Sequence, residues 1–490
     1  MLTYVLKRVL FFVPTIFAIS LLTFILMSSA PGDPAELMLN RAVGGDGGQA
    51  SDKLAGDKAY NMLRKRLGLD LPLFYFSFSN LASADSLHKI SKIDHRKTLD
   101  RLTNDYGNWK EIEAYYHSAK KLELTILDIP KDSSTTSALI TLRNAVNNLY
   151  LSPNDKVIRS SFAEMEQQVG KNSQLAAASP ALNATVDAYE TVRQSPTTWK
   201  NYIPAVHLNG TKNQYHRWLL GDAPWFSASD DKMLSKGFVR GDFGTSYFAK
   251  RPVSTLVWES IGYTMTISLI AILITYLISI PLGVFTAVKK GTTIDQTLST
   301  GLFVLYSMPS FWIGTMMIIF LGGGDFLDWF PPTGVADVDA DDPFFTRLSM
   351  QAAHLTMPLI CWTYGSFAYL SRQMRGGMLG VLRQDYIRTA RSKGLNESAV
   401  VWKHAFRNSL LPVITIFSSV FPAMIGGSVV LEYIFTIPGM GGLGFHSVLR
   451  RDYPVVLTVT MFSTILTLVG YLISDILYAV VDPRISYSKK

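Results

Sequence analysis

The stretch of this chain best equipped for chemistry is strongly basic, and what its residue types suit is binding rather than bond-making. It reads Asp385-Tyr386-Ile387-Arg388-Thr389-Ala390-Arg391-Ser392-Lys393-Gly394-Leu395, then Val400-Val401-Trp402-Lys403-His404-Ala405-Phe406-Arg407-Asn408. Tyr386, Ile387 and Ala390 fall on one helical face at spacings of three and four. Gly394 suits a left-handed corner or a close backbone approach, so the spacing predicts two short helices meeting there. Val400, Val401 and Trp402 add apolar surface to the second. An apolar face with a basic rim can dock a partner. The same charges would also serve to anchor the orientation of a membrane protein, and spacing alone leaves both readings open.

Other reactive residue types lead away from catalysis. No Walker sequence, nucleophile elbow or paired-carboxylate motif occurs, so the chain is not expected to be an enzyme or to bind a cofactor of its own. Cys361 is the only cysteine, which excludes an internal disulfide and a cysteine metal cluster. His354 and His446 have few candidate co-ligands in sequence and read as interfacial polar residues; no metal is expected. Gly439, Gly441, Gly442 and Gly444 have the wrong spacing for a phosphate loop. They read as a tight re-entrant turn or as an ordinary connecting loop. Asp475 interrupts the last apolar run, and a hydrogen-bonded structural carboxylate is favoured there over a proton relay.

The elements that must position these residues are membrane spans. The 490 residues are 48% hydrophobic and only 17% charged, with a mean hydropathy of +0.18. That balance implies spans plus a sizeable aqueous portion. The net charge of +8 fits Lys and Arg in cytoplasmic loops better than a nucleic-acid footprint. Six uncharged stretches are near the length of ~20 residues that a crossing helix needs: 9–30, 261–288, 296–324, 354–371, 408–431 and 453–474. The first resembles a signal peptide in its Lys7-Arg8 start and Ser28-Ser29-Ala30 end. Its length, Pro14 and the five later spans favour a retained helix.

Charge then sets orientation. Lys7 and Arg8, Lys289 and Lys290, the cations between spans four and five (Arg372, Arg375, Arg383, Arg388, Arg391, Lys393, Lys403, Arg407) and Arg484, Lys489 and Lys490 share one side if there are six spans. That side should be the cytoplasm. The loop between spans three and four holds Asp325, Asp328, Asp337, Asp339, Asp341 and Asp342 against Arg347, as an outside loop would. Arg450 and Arg451 run against the scheme. Both termini are expected inside. The stretch 31–260 is too long for a simple loop. Its middle carries helical periodicity over 98–122, 135–151 and 161–169, whereas Gly44–Gly48 reads as a flexible patch.

The 385–407 segment resembles the cytoplasmic coupling loop of ABC importer permeases, in the form typical of the dipeptide/oligopeptide permease family. Ser392 replaces the usual Ala and Phe406 the usual Leu. Of the wider superfamily's Glu-Ala-Ala-x-x-x-Gly pattern only Ala390 and Gly394 remain. Further family motifs follow in order: Ala30-Pro31-Gly32-Asp33-Pro34, Leu67-Gly68-Leu69-Asp70 with Pro72-Leu73, Gln214-Tyr215 with Trp218-Leu219, and Gly241-Asp242-Phe243-Gly244-Thr245-Ser246. Then come Ser307-Met308-Pro309 with Phe311-Trp312, Glu432 with Ile434-Phe435, Pro438-Gly439-Met440-Gly441, Arg450-Arg451-Asp452-Tyr453-Pro454-Val455-Val456 and Asp482-Pro483-Arg484. The segments around Leu73 and Gln214 are nearly adjacent in the usual member, but here a domain-sized stretch separates them.

The resemblance implies an all-α membrane protein of ABC importer permease type with six transmembrane helices, both termini inside. A large extracytoplasmic, mainly helical insertion lies between helices one and two. The expected division is a first helix at 1–30, family segments at 31–79 and 210–260 around an inserted domain at 80–209, a permease core at 261–482 with its coupling loop at 373–407, and a tail at 483–490. The inserted domain would sit where an external binding protein docks. The implied function is a bacterial inner-membrane permease subunit that moves peptides, or small solutes such as nickel or sugars, by alternating access. Its implied partners are a second permease subunit, two ATPase subunits that use ATP and Mg, an extracytoplasmic substrate-binding protein and the lipid membrane. The expected ATPase contacts are Asp385, Tyr386, Arg388, Ala390, Arg391, Gly394, Leu395, Trp402, His404, Phe406 and Arg407, centred on Tyr386, Ala390, Gly394 and Leu395. Candidate path residues are Ser307, Pro309, Trp312, Glu432, Gly439 and Gly441. The competing reading is a membrane-anchored binding or scaffold protein whose outer domain is the functional part. An ion-coupled carrier would need mid-membrane charges, and the spans offer almost none.

Overall fold

The computed structural model describes residues 2–30, 33–35, 38–39, 50–83, 86–90, 92–130, 135–225, 234–322, 324, 326–339, 341–410, 412–417 and 428–481. Gly44–Gly48, Asp325, residues 411 and 418–427 of the expected fifth span, and Asp482-Pro483-Arg484 lie outside them. The chain separates into two compact units, Met1–Ala30 with Phe243–Lys490, and Pro31–Asp242. Helix α1 (Leu2–Ser28) carries Pro14 in its interior. It leaves Leu10, Phe11 and Val13 exposed, as a lipid-facing surface would.

In the 31–242 unit, α2 (Ala50–Leu67) ends beside a buried guanidinium. Arg64 donates to the carbonyls of Ile90 at 2.9 Å, Leu69 at 2.7 Å and His88 at 3.3 Å. Strand β1 (Phe76–Asn80) then pairs antiparallel with β2 (Pro204–Leu208), from Phe76 opposite Leu208 to Asn80 opposite Pro204. Between them lie α3 (Ile93–Tyr106), α4 (Trp109–Asp128), α5 (Thr136–Leu151), α6 (Asp155–Lys171) and α7 (Ser179–Gln194). Their amphipathic faces meet in one core containing Leu102, Ile112, Leu122, Leu142, Ile158 and Tyr189. The periodic stretch 98–122 is two helices rather than one. It breaks at Gly107 and Asn108, where the buried Asn108 amide donates to the carbonyls of Val192 and Ser195, each at 2.9 Å. Past the ladder, the backbone amides of Gln214 and Tyr215, at the start of α8 (Gln214–Leu219), bond to the carbonyls of Pro72 and Leu73.

The other unit continues with α9 (Val253–Val288), α10 (Thr293–Ser307), α11 (Ser310–Met317) with a π turn over Ile318–Gly322, and α12 (Phe344–Leu382). Then follow α13 (Asp385–Ser392), α14 (Glu397–Ala399), a π turn over Val400–Ala405, α15 (Phe406–Ser409), α16 (Val429–Ile434), α17 (Met440–Arg450) and α18 (Tyr453–Val481). Among the described residues three helices are long and apolar enough to cross a membrane, at Tyr4–Ser28, Val253–Val288 and Tyr453–Leu477, or four if one bent pair counts as a span.

Two expected spans depart from the simple pattern. The third is a helix pair bent by 91° between Ser307 and Ser310. Proline forces the residue before it out of the helical region, and Met308 is accordingly extended. The fourth, 354–371, is the middle of the 39-residue α12 and is not among the helices apolar enough to cross. Its polar Thr363 and Ser371 are buried in protein, where lipid does not set the composition.

Candidate functional site

The 385–407 segment is a pair of helical pieces turned at Gly394, whose φ is +80°. Ile387 and Ala390 from the first piece, and Val400, Val401 and Ala405 from the second, are buried in one cluster with Val284 of α9 and Leu370, Met374 and Met378 of α12. The apolar face read from the sequence is therefore divided. Its small and β-branched members seat the hairpin on the long helices, while Tyr386, Leu395 and Trp402 remain 42%, 43% and 49% exposed. Ala390, expected near the centre of the contact surface, is buried in the seat. Phe406 is half-buried with its ring 5.2 Å from that of Trp402, and His404 is also half-buried. Asp385, Arg388, Arg391, Gly394 and Arg407 are exposed. Arg391 donates to Glu397 at 3.1 and 2.6 Å, closing the corner. These bonds hold the Glu397 carboxyl below its ordinary range. The Asn408 amide donates to the Tyr386 hydroxyl at 2.8 Å and fixes that ring on the outer face.

Behind this seat, α9 and α12 help line a cavity of about 450 Å³. Its wall includes Tyr276, Tyr306, Trp362, Tyr364 and Tyr369, and none of its described lining residues carries a formal charge. The bend in the third span faces it. Tyr306, Met308 and Ser310 line the cavity, one residue out of step with Ser307 and Pro309, and Trp312 is exposed outside it. The Tyr364 hydroxyl donates to the Met308 carbonyl at 2.6 Å, occupying an acceptor that the bend frees from the helix.

A larger cavity of about 1090 Å³ lies over the glycine cluster. The buried Glu432 carboxylate accepts from the Gly442 amide at 2.6 Å and from the Thr264 hydroxyl at 3.4 Å. The Met440 amide donates to that hydroxyl at 2.9 Å. The start of α17 thus closes on an acidic group, which the helix dipole favours. A Cβ on Gly439 would lie 2.4 Å from Cδ of Glu432. The cluster is neither a re-entrant turn nor an ordinary loop: Gly439 caps α17, and Gly441, Gly442 and Gly444 lie in its first turns, with Gly439, Gly441 and Gly442 packed around one carboxylate. Gly439 lines the cavity beside Glu432, and Gly441 is buried behind it.

Three ion or carboxylate ties were not visible in the sequence. Arg375 donates to Asp295 at 3.1 and 2.8 Å and pins α10 to α12. Asp452 accepts from the Ser246 hydroxyl and from the amides of Tyr247 at 3.0 Å and Phe248 at 3.2 Å. That carboxylate joins two segments 206 residues apart in sequence. Asp475 accepts from the Tyr4 hydroxyl at 2.9 Å and Arg8 at 2.8 Å, linking α18 to α1 as a structural carboxylate. His354 is held by the Thr333 carbonyl at 2.8 Å, and no metal-holding group of His, Cys, Asp and Glu occurs among the described residues.

Long apolar helices, a bent span and a seated basic hairpin define a helical membrane protein of transporter type. Residues 279–487 match the family model described as the binding-protein-dependent transport system inner membrane component. The oligopeptide transport system permease protein AppB of Bacillus subtilis (strain 168) is 45% identical over 250 residues, which cover 51% of this chain and 77% of AppB. The inner membrane ABC transporter permease protein YejB of Escherichia coli O157:H7 is 36% identical over 252 residues, 51% of this chain and 69% of YejB. An inward-facing structure of the MetNI methionine ABC transporter covers 47% of this chain and 97% of its own at 17% identity and a TM-score of 0.37, too low to define a common fold. The chain belongs to the binding-protein-dependent transport system inner membrane component family and is a multi-pass inner-membrane protein.

Proposed function

We propose that this chain is the permease subunit of an ATP-binding-cassette importer for peptides or similar small solutes, with the 385–407 hairpin as the part gripped by separate ATPase subunits. The single observation that carries this is the hairpin's division into a seat and an exposed face. Five of its side chains are sunk among residues of α9 and α12, and both helices line the uncharged cavity. A partner that holds Tyr386, Leu395 and Trp402 differently in its ATP-bound and ATP-free states would move the walls of that cavity. An aromatic lining without formal charge suits passage of varied side chains without tight capture. On this reading six helices cross the membrane, and the hairpin and both termini face the cytoplasm. A second permease completes the path, the 31–242 unit lies outside, and a binding protein delivers substrate there. The peptide class rests on the names of relatives such as AppB.

Gly394 provides the test. A Cβ there would meet nothing within 4 Å, so a larger side chain projects off the chain toward a partner. Gly394→Ala carries only the left-handed backbone penalty of about 1–2 kcal/mol. Gly394→Trp adds bulk at the proposed grip. With the full complement of subunits in membrane vesicles, the Trp variant should lose uptake by at least about tenfold, or about 1.4 kcal/mol of coupling. The Ala variant should stay within a few fold of wild type. Normal uptake by Gly394→Trp would remove the ATPase grip from this surface.

A further inference from the structure

Arg450 belongs to a motif whose neighbours have structural tasks and which leaves this side chain without one. Asp452, two residues on, spends its carboxylate on Ser246, Tyr247 and Phe248. Arg451 turns the corner after α17 in the left-handed conformation. Arg450 is exposed, lines the larger cavity, and has its guanidinium carbon 3.8 Å from the centre of the Phe248 ring. No described carboxylate pairs with it. Three acids share this wall, and each is already held: Glu259 is 2.6 Å from Arg251, Glu432 accepts from Gly442 and Thr264, and Asp452 accepts from Ser246, Tyr247 and Phe248. A guanidinium laid over an aromatic face keeps its in-plane N–H fork available for a planar anion. Phe248 itself is held by the bond from its amide to buried Asp452, so the fork is presented from a fixed platform.

The remaining wall is amphipathic. Tyr263, Tyr433 and His446 supply rings with polar edges, and Leu256, Leu443 and Val455 supply apolar surface. The volume of about 1090 Å³ is just above the range for small-ligand pockets, ~300–1,000 Å³. A fixed guanidinium on the wall of such a space matches a small molecule with one carboxylate and varied apolar or aromatic groups beside it. We infer that Arg450 on its Phe248 platform is a seat for the C-terminal carboxylate of a peptide substrate entering the permease. This rests on the reading of the chain as a peptide permease and adds a named residue and a ligand group to it.

The test is uptake of trialanine and of its C-terminal amide, in membrane vesicles holding the assembled transporter with its binding protein in excess. Three versions are compared: wild type, Arg450→Gln and Arg450→Lys. Arg450→Gln should lower uptake of the free acid by about tenfold or more, the scale of one lost charge-assisted contact, and leave amide uptake unchanged. Arg450→Lys should keep most of the acid uptake. Equal losses for acid and amide, or acid uptake by Arg450→Gln at the wild-type level, would overturn the seat. Affinity of each transporter for the unliganded binding protein is measured alongside. A loss there matching the loss in uptake would assign Arg450 to an acidic side chain of that protein and also overturn the seat. Wild-type vesicles that take up neither peptide, under conditions where ATP drives import of some other solute, would instead remove the peptide reading itself.

Discussion

At Glu432 a carboxylate sits only 2% exposed, where an unpaired charge would be costly. It is tolerated because the start of α17 supplies the Gly442 amide and because Thr264 bridges it to Met440. The glycines around it are needed for space. A Cβ would come within 2.4 Å of the Glu432 side chain from Gly439, 3.0 Å of the Val429 backbone from Gly441, and 3.4 Å of Glu432 from Gly442. Alanine substitutions should therefore rank in that order. Gly439→Ala should cost about 1–3 kcal/mol as an overpacked site, and Gly442→Ala should be nearly neutral. Thermal unfolding of the detergent-purified protein, followed by size-exclusion chromatography, checks the ranking. Equal effects at the three positions would mean that closure on Glu432 does not limit stability. The glycine cluster was visible in the sequence, but its purpose was not. Spacing showed that no phosphate loop was present, whereas the group the glycines make room for comes from the preceding helix and from Thr264, 168 residues away from Glu432.

Among the elements, local signals were legible and long-range ties were not. The corner at Gly394 and the burial of Ile387 and Ala390 follow from spacing within one turn of helix. How the apolar face divides between seat and surface depends on α9 and α12, which the segment itself does not encode. The bend at Met308 has a local signal, Pro309, which a hydropathy reading of one continuous apolar run passes over. The charge on Arg375 was read only as an orientation signal, yet it is spent on Asp295, 80 positions earlier. Asp295 has a side-chain exposure of 5% and Arg375 of 30%, so only loss of Arg375 leaves a desolvated charge. Arg375→Gln should destabilise by about 3 kcal/mol and Asp295→Asn by about 1–2 kcal/mol. Because the two groups form one bidentate contact, the double variant should cost less than the sum, with a coupling of about 1–3 kcal/mol. A thermal double-mutant cycle measures this. Strict additivity would mean that the pair does not hold α10 against α12.

For the molecule as a whole, the question is whether the helical stretch between β1 and β2 is separable from what carries it. Asn80 stands opposite Pro204 at the end of an antiparallel ladder, which is the geometry of a hairpin with residues 81–203 standing where a turn would be. The amide of Gln214 bonds to the Pro72 carbonyl and that of Tyr215 to the Leu73 carbonyl, so segments far apart in the sequence adjoin below the ladder. The five helices have a core of their own, with Leu102, Ile112, Ile158 and Tyr189 fully buried within it. A two-stranded ribbon is weak alone, but here the contacts at 72–73 and 214–215 brace it. Replacing 81–203 by Asn-Gly, which favours the tight type I′ hairpin turn, should therefore yield a chain that still inserts and assembles in the membrane. The excised segment, made alone, should be helical and unfold in one cooperative transition. The shortened permease then reports on function. If the helical domain shapes delivery by the binding protein, the binding-protein concentration for half-maximal uptake should shift while the maximal rate holds. Unchanged kinetics in a well-assembled shortened permease would exclude that role. An excised segment that stays unfolded would mean that its core depends on the rest of the 31–242 unit.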